Sequence, residues 1–259
     1  MMLPRRAEGP FPRVIWTAWF SVAGRGRPRE VDACFESWRR HNPNYEFWML
    51  DDANIESVLP WGRMWKNATA KVGIAGRTDF LRAYLVATRG GVWVDSLAFC
   101  REPLDPWLPK IVGAHGFYAP RQAAKDRQLM SWFFAGKPAT PIAKGLLELA
   151  ADYLFRPRTV VLETKLPIAA VPANLVGTNR TGEAALEWLE ATHEAWPYFW
   201  FHYLFNQVLQ ENGTLAAHWT AANHISVVPR KVSKFNIHIG LEEEEENNNK
   251  ARASGAVGG

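Results

Sequence analysis

Strand-like and helix-like hydrophobic patterns alternate along most of this chain of 259 residues. Alternation of this kind is typical of α/β proteins, in which helices pack against a sheet of mostly parallel strands. We therefore expect an α/β fold with a mostly parallel central sheet flanked by helices. The predicted strands are residues 13–19, 45–50, 92–94, 111–118 and 131–135, and the predicted helices include residues 74–88, 141–155, 182–193 and 198–211.

The chain is expected to form one folded domain, residues 1–240, followed by a disordered tail, residues 241–259. A hydrophobic content of 47% and a charged content of 22% are ordinary for a folded protein and exclude wholesale disorder. The tail contains a run of five Glu and then a run of three Asn, a composition that cannot bury a core. Because the tail is acidic, the domain is more basic than the net charge of +4 of the whole chain.

The expected location is the cytoplasm. No stretch approaches the roughly 20 uninterrupted apolar residues of a membrane-spanning helix, and the first residues lack the apolar core of a secretory signal. Cys34 and Cys100 are too few for a disulfide framework, and we expect them to be small core residues in a reducing compartment. Peripheral attachment to the inner face of a membrane stays compatible with the sequence, which indicates no oligomeric state.

A basic domain with 13 Trp residues suits an anionic ligand that offers flat faces for stacking. Nucleotides, sugars and nucleic acids meet that description, and the alternative is an aromatic core with solvated Lys and Arg side chains. The basic residues are scattered and no nucleic-acid-binding motif is present, so nucleic acid is the least favoured ligand.

Asp79 and Arg82 are candidate binding residues on the predicted helix of residues 74–88. They are three residues apart and therefore share one helix face with small side chains such as Ala75 and Ala83. A buried charge is costly unless it is paired or bound to a ligand. One interpretation is a structural ion pair, and the other is a ligand site for which the small neighbours leave room.

Asp95 directly follows a buried strand that a Gly-Gly turn connects to the same helix. In an α/β sheet, ligands bind beyond the carboxyl ends of the strands, where Asp95 is expected to lie. A carboxylate there can hold a divalent cation that neutralises a diphosphate leaving group. The alternative is that Asp95 only caps the strand end or a turn.

Four segments, taken in order, resemble the capsular polysaccharide synthesis family of glycosyltransferases. They also resemble the wider group of DXD-containing sugar transferases related to fungal initiating mannosyltransferases and clostridial glucosylating toxins. The segments are PRVIWTAWF, CFESWRRHNPNYEFWMLDD, TDFLRAYLVATRGGVWVDS and CREPLD, and together they span roughly residues 12–108. The resemblance implies a GT-A-type nucleotide-diphospho-sugar fold and sugar transfer with retention of configuration.

The resemblance also implies roles for individual residues. Trp16 matches an aromatic residue that stacks on the nucleotide base, with Trp19 as the less favoured candidate and a core position for Trp16 as the alternative. Asp79 and Arg82 match the residues that hold the donor ribose and sugar hydroxyls. Asp95 matches the first Asp of the DXD motif, which makes it the expected ligand of a divalent cation, Mn²⁺ or Mg²⁺.

The motif itself departs from that of many relatives. Leu97 stands at the position of the second carboxylate and cannot bind a metal ion. The capsular branch often has a single Asp in this motif, so the resemblance to that branch holds, but metal dependence is expected to be shallow. Asp95, diphosphate oxygens and water can together satisfy Mg²⁺, and Ser96 could add a hydroxyl ligand.

His202 lies in a predicted aromatic helix within the segment YFWFHYLF. A lone His on an apolar helix is typically a core residue. The segment also matches, more weakly, a Tyr-aromatic-His motif of the capsular family. That match implies that His202 approaches the donor diphosphate or the acceptor.

These observations favour a glycosyltransferase that moves a sugar from a nucleotide-diphosphate donor to a polysaccharide or glycolipid acceptor. The expected catalytic residues are Asp95, Arg82 and His202, and the expected nucleotide-sugar-binding residues are Trp16, Asp79, Arg82 and Asp95. The first alternative is a non-catalytic sugar- or nucleotide-binding module of the same fold, and the second is a nucleic-acid-binding protein. Turnover of a UDP- or GDP-sugar excludes a pure binding module.

Overall fold

The computed structural model describes residues 11–21, 26–121, 128–162, 191, 196, 199–223 and 232–234. Most of the predicted helix of residues 182–193 and the whole tail of residues 241–259 lie outside the described residues. The elements are β1 (Val14–Ala18), α1 (Arg29–His41), β2 (Glu46–Leu50), α2 (Trp61–Lys66), α3 (Ile74–Arg89), β3 (Gly91–Val94), β4 (Ala98–Cys100), α4 (Leu108–His115), β5 (Phe117–Tyr118), β6 (Phe133–Gly136), α5 (Pro141–Phe155), α6 (Trp200–Glu211), α7 (Gly213–Asn223) and β7 (Val232–Lys234).

Five strands form the main sheet, in the order β2-β1-β3-β6-β5. β1 pairs in parallel with β2 and β3, whereas β6 is antiparallel to both β3 and β5. Four of the five strands therefore point in one direction, which confirms the expected mostly parallel sheet. β4 and β7 form a separate antiparallel pair.

Hydrophobic cores cover both faces of the sheet, which confirms the expected flanking helices. Alternating residues of each strand point to opposite faces. Trp16 and Trp93 pack on the face covered by α3, α5 and α6. Ile15 and Val92 pack on the other face, against α1 and α4. Neighbouring strands thus contribute their side chains in register to the same two cores.

The turn between α3 and β3 requires glycine. Gly90 has φ 70° and Gly91 has φ 93°, in the region that other residues rarely adopt. A Cβ atom on Gly91 would lie 2.4 Å from Cγ1 of Val14 on β1. The tight reversal lets β3 start at once beside β1, so that its carboxyl end, with Asp95, reaches the opposite edge of the sheet.

Hydrogen bonds from α1 fix the chain that follows Asp95. The indole Nε1 of Trp38 donates to the carbonyl oxygen of Ala98 at 2.6 Å, and the backbone N–H of Leu104 donates to the side chain of Asn42 at 2.8 Å. These bonds are buried, where losing one partner costs about 1–3 kcal/mol. They hold β4 and the chain after it against α1 and the residue that follows α1.

The prediction of a strand over residues 111–118 is wrong for most of its length. The chain forms α4 first, and the strand is limited to the short β5. Pro109 fits the first turn of a helix, and Leu108, Ile111 and Val112 are buried at helical spacing. The adjacent β-branched Ile and Val gave a strand-like local pattern, which burial of the helical face overrides.

Both cysteines are core residues, as expected. Cys34 and Cys100 are fully buried, and burial raises the pKa of each thiol to about 11. At pH 8 only about a thousandth of each thiol would be the reactive thiolate. We expect no reaction with Ellman's reagent in the native protein at pH 8 and reaction of two thiols in guanidinium chloride. Rapid labelling of native protein would contradict this assignment.

Candidate active site

An open cavity of about 430 Å³ lies at the carboxyl ends of β1 and β3. Its volume is within the range typical of small-molecule sites. The wall combines the end of β1 and the two residues after it, the first half of α3, Trp93 of β3 and the turn that follows this strand, Ser131 before β6 and one residue of α6. Four of the five predicted site residues line it: Asp79, Arg82, Asp95 and His202.

Arg82 joins two carboxylates at the floor of this cavity. Its Nη2 lies 3.1 Å from Oδ1 of Asp79 and 3.2 Å from Oδ1 of Asp95. Nη1 donates to the carbonyl oxygen of Ser131, and Nε donates to that of Thr78 at 3.3 Å. All three guanidinium nitrogens are thus engaged by the protein. Arg82 therefore positions the two carboxylates.

Trp93 orients the carboxylate of Asp95 from the other side. These residues are two apart and share a face at the end of β3. The indole Nε1 of Trp93 donates to Oδ1 of Asp95 at 3.0 Å, and the guanidinium of Arg82 lies 5.6 Å from the Trp93 ring centroid. The backbone N–H of Asp95 also donates to the carbonyl oxygen of Trp132 at 2.9 Å. Asp95 is therefore held by the residue that precedes β6 as well as by α3.

The cavity wall has one more negative than positive charge when its imidazole is neutral. The charged side chains of the described wall are Asp79, Arg82 and Asp95. Carboxylates of this kind accept hydrogen bonds from hydroxyl groups such as those of sugars. An excess negative charge also stabilises positive charge that develops on a bound molecule.

The amino end of α3 faces the same cavity. Ile74, Ala75 and Thr78 line it, and the first turn of this 16-residue helix contains no acidic side chain. A helix amino end carries a partial positive charge and unsatisfied N–H groups. The cavity is therefore lined both by carboxylates and by the amino-terminal residues of a helix, and helix amino ends suit anionic groups.

Trp16 lies apart from this cavity. It is 5% exposed and does not line the cavity. Its Nε1 donates to the carbonyl oxygen of Gly90 at 2.9 Å, which directs the ring toward the amino end of β3. The cavity is at the carboxyl end, so the structure places Trp16 in the alternative position, the core.

Trp19, the less favoured stacking candidate, lines the cavity directly after β1. It is half-buried, and its backbone N–H donates to the carbonyl oxygen of Leu50 at 2.8 Å, which continues the pairing with β2. The next residue, Phe20, stacks on Trp61 with ring centroids 5.1 Å apart. Trp19 thus presents an aromatic side chain on a well-anchored segment.

His202 reaches the cavity from α6. Its ring is half-buried and makes edge contacts with Phe199 and Phe201, at centroid distances of 5.5 Å and 6.3 Å. It lines the same cavity as Asp95. The structure therefore brings it together with the acidic residues, although the two are 107 positions apart in the sequence.

The donor set around Asp95 does not suit a resident divalent cation. Such sites need several oxygen ligands, usually one or two carboxylates plus substrate phosphates. Oδ1 of Asp95 already accepts from Arg82 and Trp93, and the side chain of Leu97, which also lines the cavity, has no atom that can bind a metal ion. Within the described ranges no cluster of three His, Cys, Asp or Glu side chains could hold a metal ion.

Sequence reasoning did not assign roles to two groups of this site. Trp93 could have been found, because the residue two before a strand-end Asp must share its face. The contact from Arg82 to Ser131 had no local signal, since it depends on the pairing of β3 with β6.

A family model described as capsular polysaccharide synthesis protein matches residues 5–162. The chain is 22% identical over 165 residues to HOC1 of Saccharomyces cerevisiae, a match covering 57% of this chain and 41% of that protein. It is 24% identical over 114 residues to the initiation-specific alpha-1,6-mannosyltransferase of Candida albicans, covering 40% of this chain and 29% of that enzyme. The chain therefore spans less than half the length of these curated relatives.

Among solved structures, the chain is similar to the PaToxG glycosyltransferase. The TM-score is 0.44 at 13% sequence identity, and the alignment covers 88% of this chain and 82% of the other. In the part of the chain that is described, no helix has the length and apolar character needed to cross a membrane.

Proposed function

Because this chain belongs to the capsular polysaccharide synthesis protein family, we propose that it is a glycosyltransferase that uses a nucleotide-diphosphate sugar as donor. The acceptor is a polysaccharide or glycolipid, and the sugar is transferred with retention of configuration. The proposed fold of the protein is the GT-A type, which the sequence resemblance implies. The proposed location is the cytoplasm, including the inner face of a membrane.

The observation that carries the proposal is the Asp79–Arg82–Asp95 cluster in the cavity. Its three side chains are 12%, 6% and 23% exposed. Two carboxylates on one guanidinium are more than an ion pair needs, and they are costly to desolvate. A site that binds several hydroxyl groups explains why both acids face one cavity.

The cavity suggests how the donor is placed. The sugar and ribose hydroxyls bind to the carboxylates of Asp79 and Asp95, and Arg82 holds these acids in position. The diphosphate lies toward the amino end of α3, and His202 donates to it from the opposite side. The base stacks on Trp19, because base–aromatic stacking needs only an accessible ring face.

The chemistry follows from where charge develops during transfer. Breaking a glycosidic bond creates positive charge on the sugar and negative charge on the leaving oxygen. The excess negative charge of Asp79 and Asp95 stabilises the first, while the amino end of α3 and His202 stabilise the second. The acceptor hydroxyl attacks from the face of the departing diphosphate, whose oxygen takes the proton. We name no protein nucleophile.

The test is turnover of a panel of UDP- and GDP-sugars, followed by release of the nucleoside diphosphate. Release above the rate of heat-denatured protein supports an enzyme. Binding of a nucleoside diphosphate without release, with water or oligosaccharides as acceptor, supports the alternative of a binding module. Absence of both binding and release would contradict the proposal.

Trp19→Ala is expected to weaken nucleoside diphosphate binding by about 1–3 kcal/mol, because a base–aromatic stacking contact is lost. The measurement is isothermal titration calorimetry. The matched control is Trp48→Ala, since Trp48 is 38% exposed and lies outside the cavity.

Trp16→Phe is expected to lower the stability of the protein, because the hydrogen bond to Gly90 is lost, but to leave nucleoside diphosphate binding unchanged. Weaker binding in Trp16→Phe and normal binding in Trp19→Ala would return the stacking role to Trp16.

A further inference from the structure

The turn after β3 places a leucine where a second acidic ligand would face the cavity. The backbone N–H of Ala98 donates to the carbonyl oxygen of Asp95 at 2.9 Å, which closes a four-residue turn. The first and third residues of this turn, Asp95 and Leu97, both line the cavity. The turn therefore offers one carboxylate and the hydroxyl of Ser96 in place of a pair of acids.

The carboxylate of Asp95 is also engaged by positive and polar groups of the protein. Its Oδ1 lies 3.2 Å from the guanidinium of Arg82 and 3.0 Å from the indole nitrogen of Trp93. A divalent cation on that oxygen would compete with both donors. It would also lie close to a fixed positive charge, which is strongly unfavourable at such distances in a partly buried site.

We propose that Leu97 leaves this cavity without a resident divalent-cation site, and that the nucleoside diphosphate binds there without a metal ion. The inference rests on the proposed function, because it concerns how the same donor is held. Arg82 occupies the Asp95 oxygen that a cation would need, since its Nη2 lies 3.2 Å from Oδ1. Residues at the amino end of α3 and His202 also line the cavity.

The test compares wild type with Leu97→Asp and with the matched control Leu97→Asn, which has the same size without the charge. Binding of Mn²⁺ alone is followed by loss of its free-ion EPR signal. We expect wild type and Leu97→Asn to leave the signal unchanged, whereas Leu97→Asp is expected to lower it, because a second carboxylate then faces the cavity.

The second measurement is the thermal shift that GDP or UDP produces in wild type, with Mn²⁺ and with excess chelator. We expect equal shifts in both conditions. A shift that appears only with Mn²⁺, or tight Mn²⁺ binding by wild type, would overturn the inference and leave the proposed function intact. If neither nucleotide shifts the melting temperature in any condition, the proposed function fails. If Leu97→Asp does not fold, the Mn²⁺ measurement on wild type still decides whether the cavity has a cation site.

Discussion

Asp95→Asn is expected to lower donor turnover on the order of a hundredfold or more, comparable to the loss of a major electrostatic group. Asparagine keeps the shape of the side chain and can still accept from Trp93, but the excess negative charge of the cavity disappears. That charge is placed to stabilise the positive charge that develops on the sugar. Stability is expected to change by only about 1 kcal/mol or less, since Arg82 keeps its ion pair with Asp79.

The matched control is Asp105→Asn. Asp105 pairs with Arg13 at 3.3 Å and accepts from the hydroxyl of Tyr45 at 3.0 Å, outside the cavity. The Asp105→Asn variant therefore loses an ion pair without changing the cavity, and its donor turnover is expected to match that of wild type. Each protein is assayed with Mn²⁺ and with excess chelator. Equal turnover by wild type and Asp95→Asn would remove Asp95 from the mechanism, and a loss seen only with Mn²⁺ would assign it to a cation.

Local sequence patterns were sufficient for the residues whose neighbours are close in the chain. Asp79 and Arg82 share a helix face because they are three residues apart, and the structure pairs them at 3.1 Å. Asp95 ends a buried strand, and the carboxyl edge of the sheet is where the cavity lies. The same patterns gave the α/β class and the limits of α5.

The remaining features depend on tertiary structure. Alternation along β1 predicts which face of the sheet the Trp16 side chain lies on. It does not predict toward which end of the strands the ring is directed, and that direction follows from the hydrogen bond to Gly90. His202 reaches the cavity only because α6 packs against α5 and α3. The ion pair between Arg82 and Asp95 likewise joins α3 to the end of β3. Helix spacing therefore predicted the pairing of Arg82 with Asp79 but not its pairing with Asp95.

Arg82→Met is expected to destabilise the protein by about 3–5 kcal/mol, because the two largely buried carboxylates of Asp79 and Asp95 lose the guanidinium that pairs with both of them. Met approximates the length of the aliphatic part of Arg and isolates the loss of charge and hydrogen bonds. Arg82→Lys restores one charge, but its single ammonium group cannot replace the fork that contacts Asp79, Asp95 and Ser131 together. Its stability is expected to be intermediate, and urea denaturation measures all three proteins.

The double variant Asp79→Asn/Arg82→Met separates a structural ion pair from a donor site. Removing one carboxylate relieves the uncompensated charge, so the double variant is expected to be more stable than Arg82→Met alone, with a coupling energy of about 0.5–3 kcal/mol. If the cluster only holds the fold, turnover per folded molecule should recover together with stability. If Asp79 binds donor hydroxyls and Arg82 positions Asp95, the double variant folds but stays as inactive as either single variant. We expect the second result, because both carboxylates face the cavity and a purely structural ion pair requires only one of them.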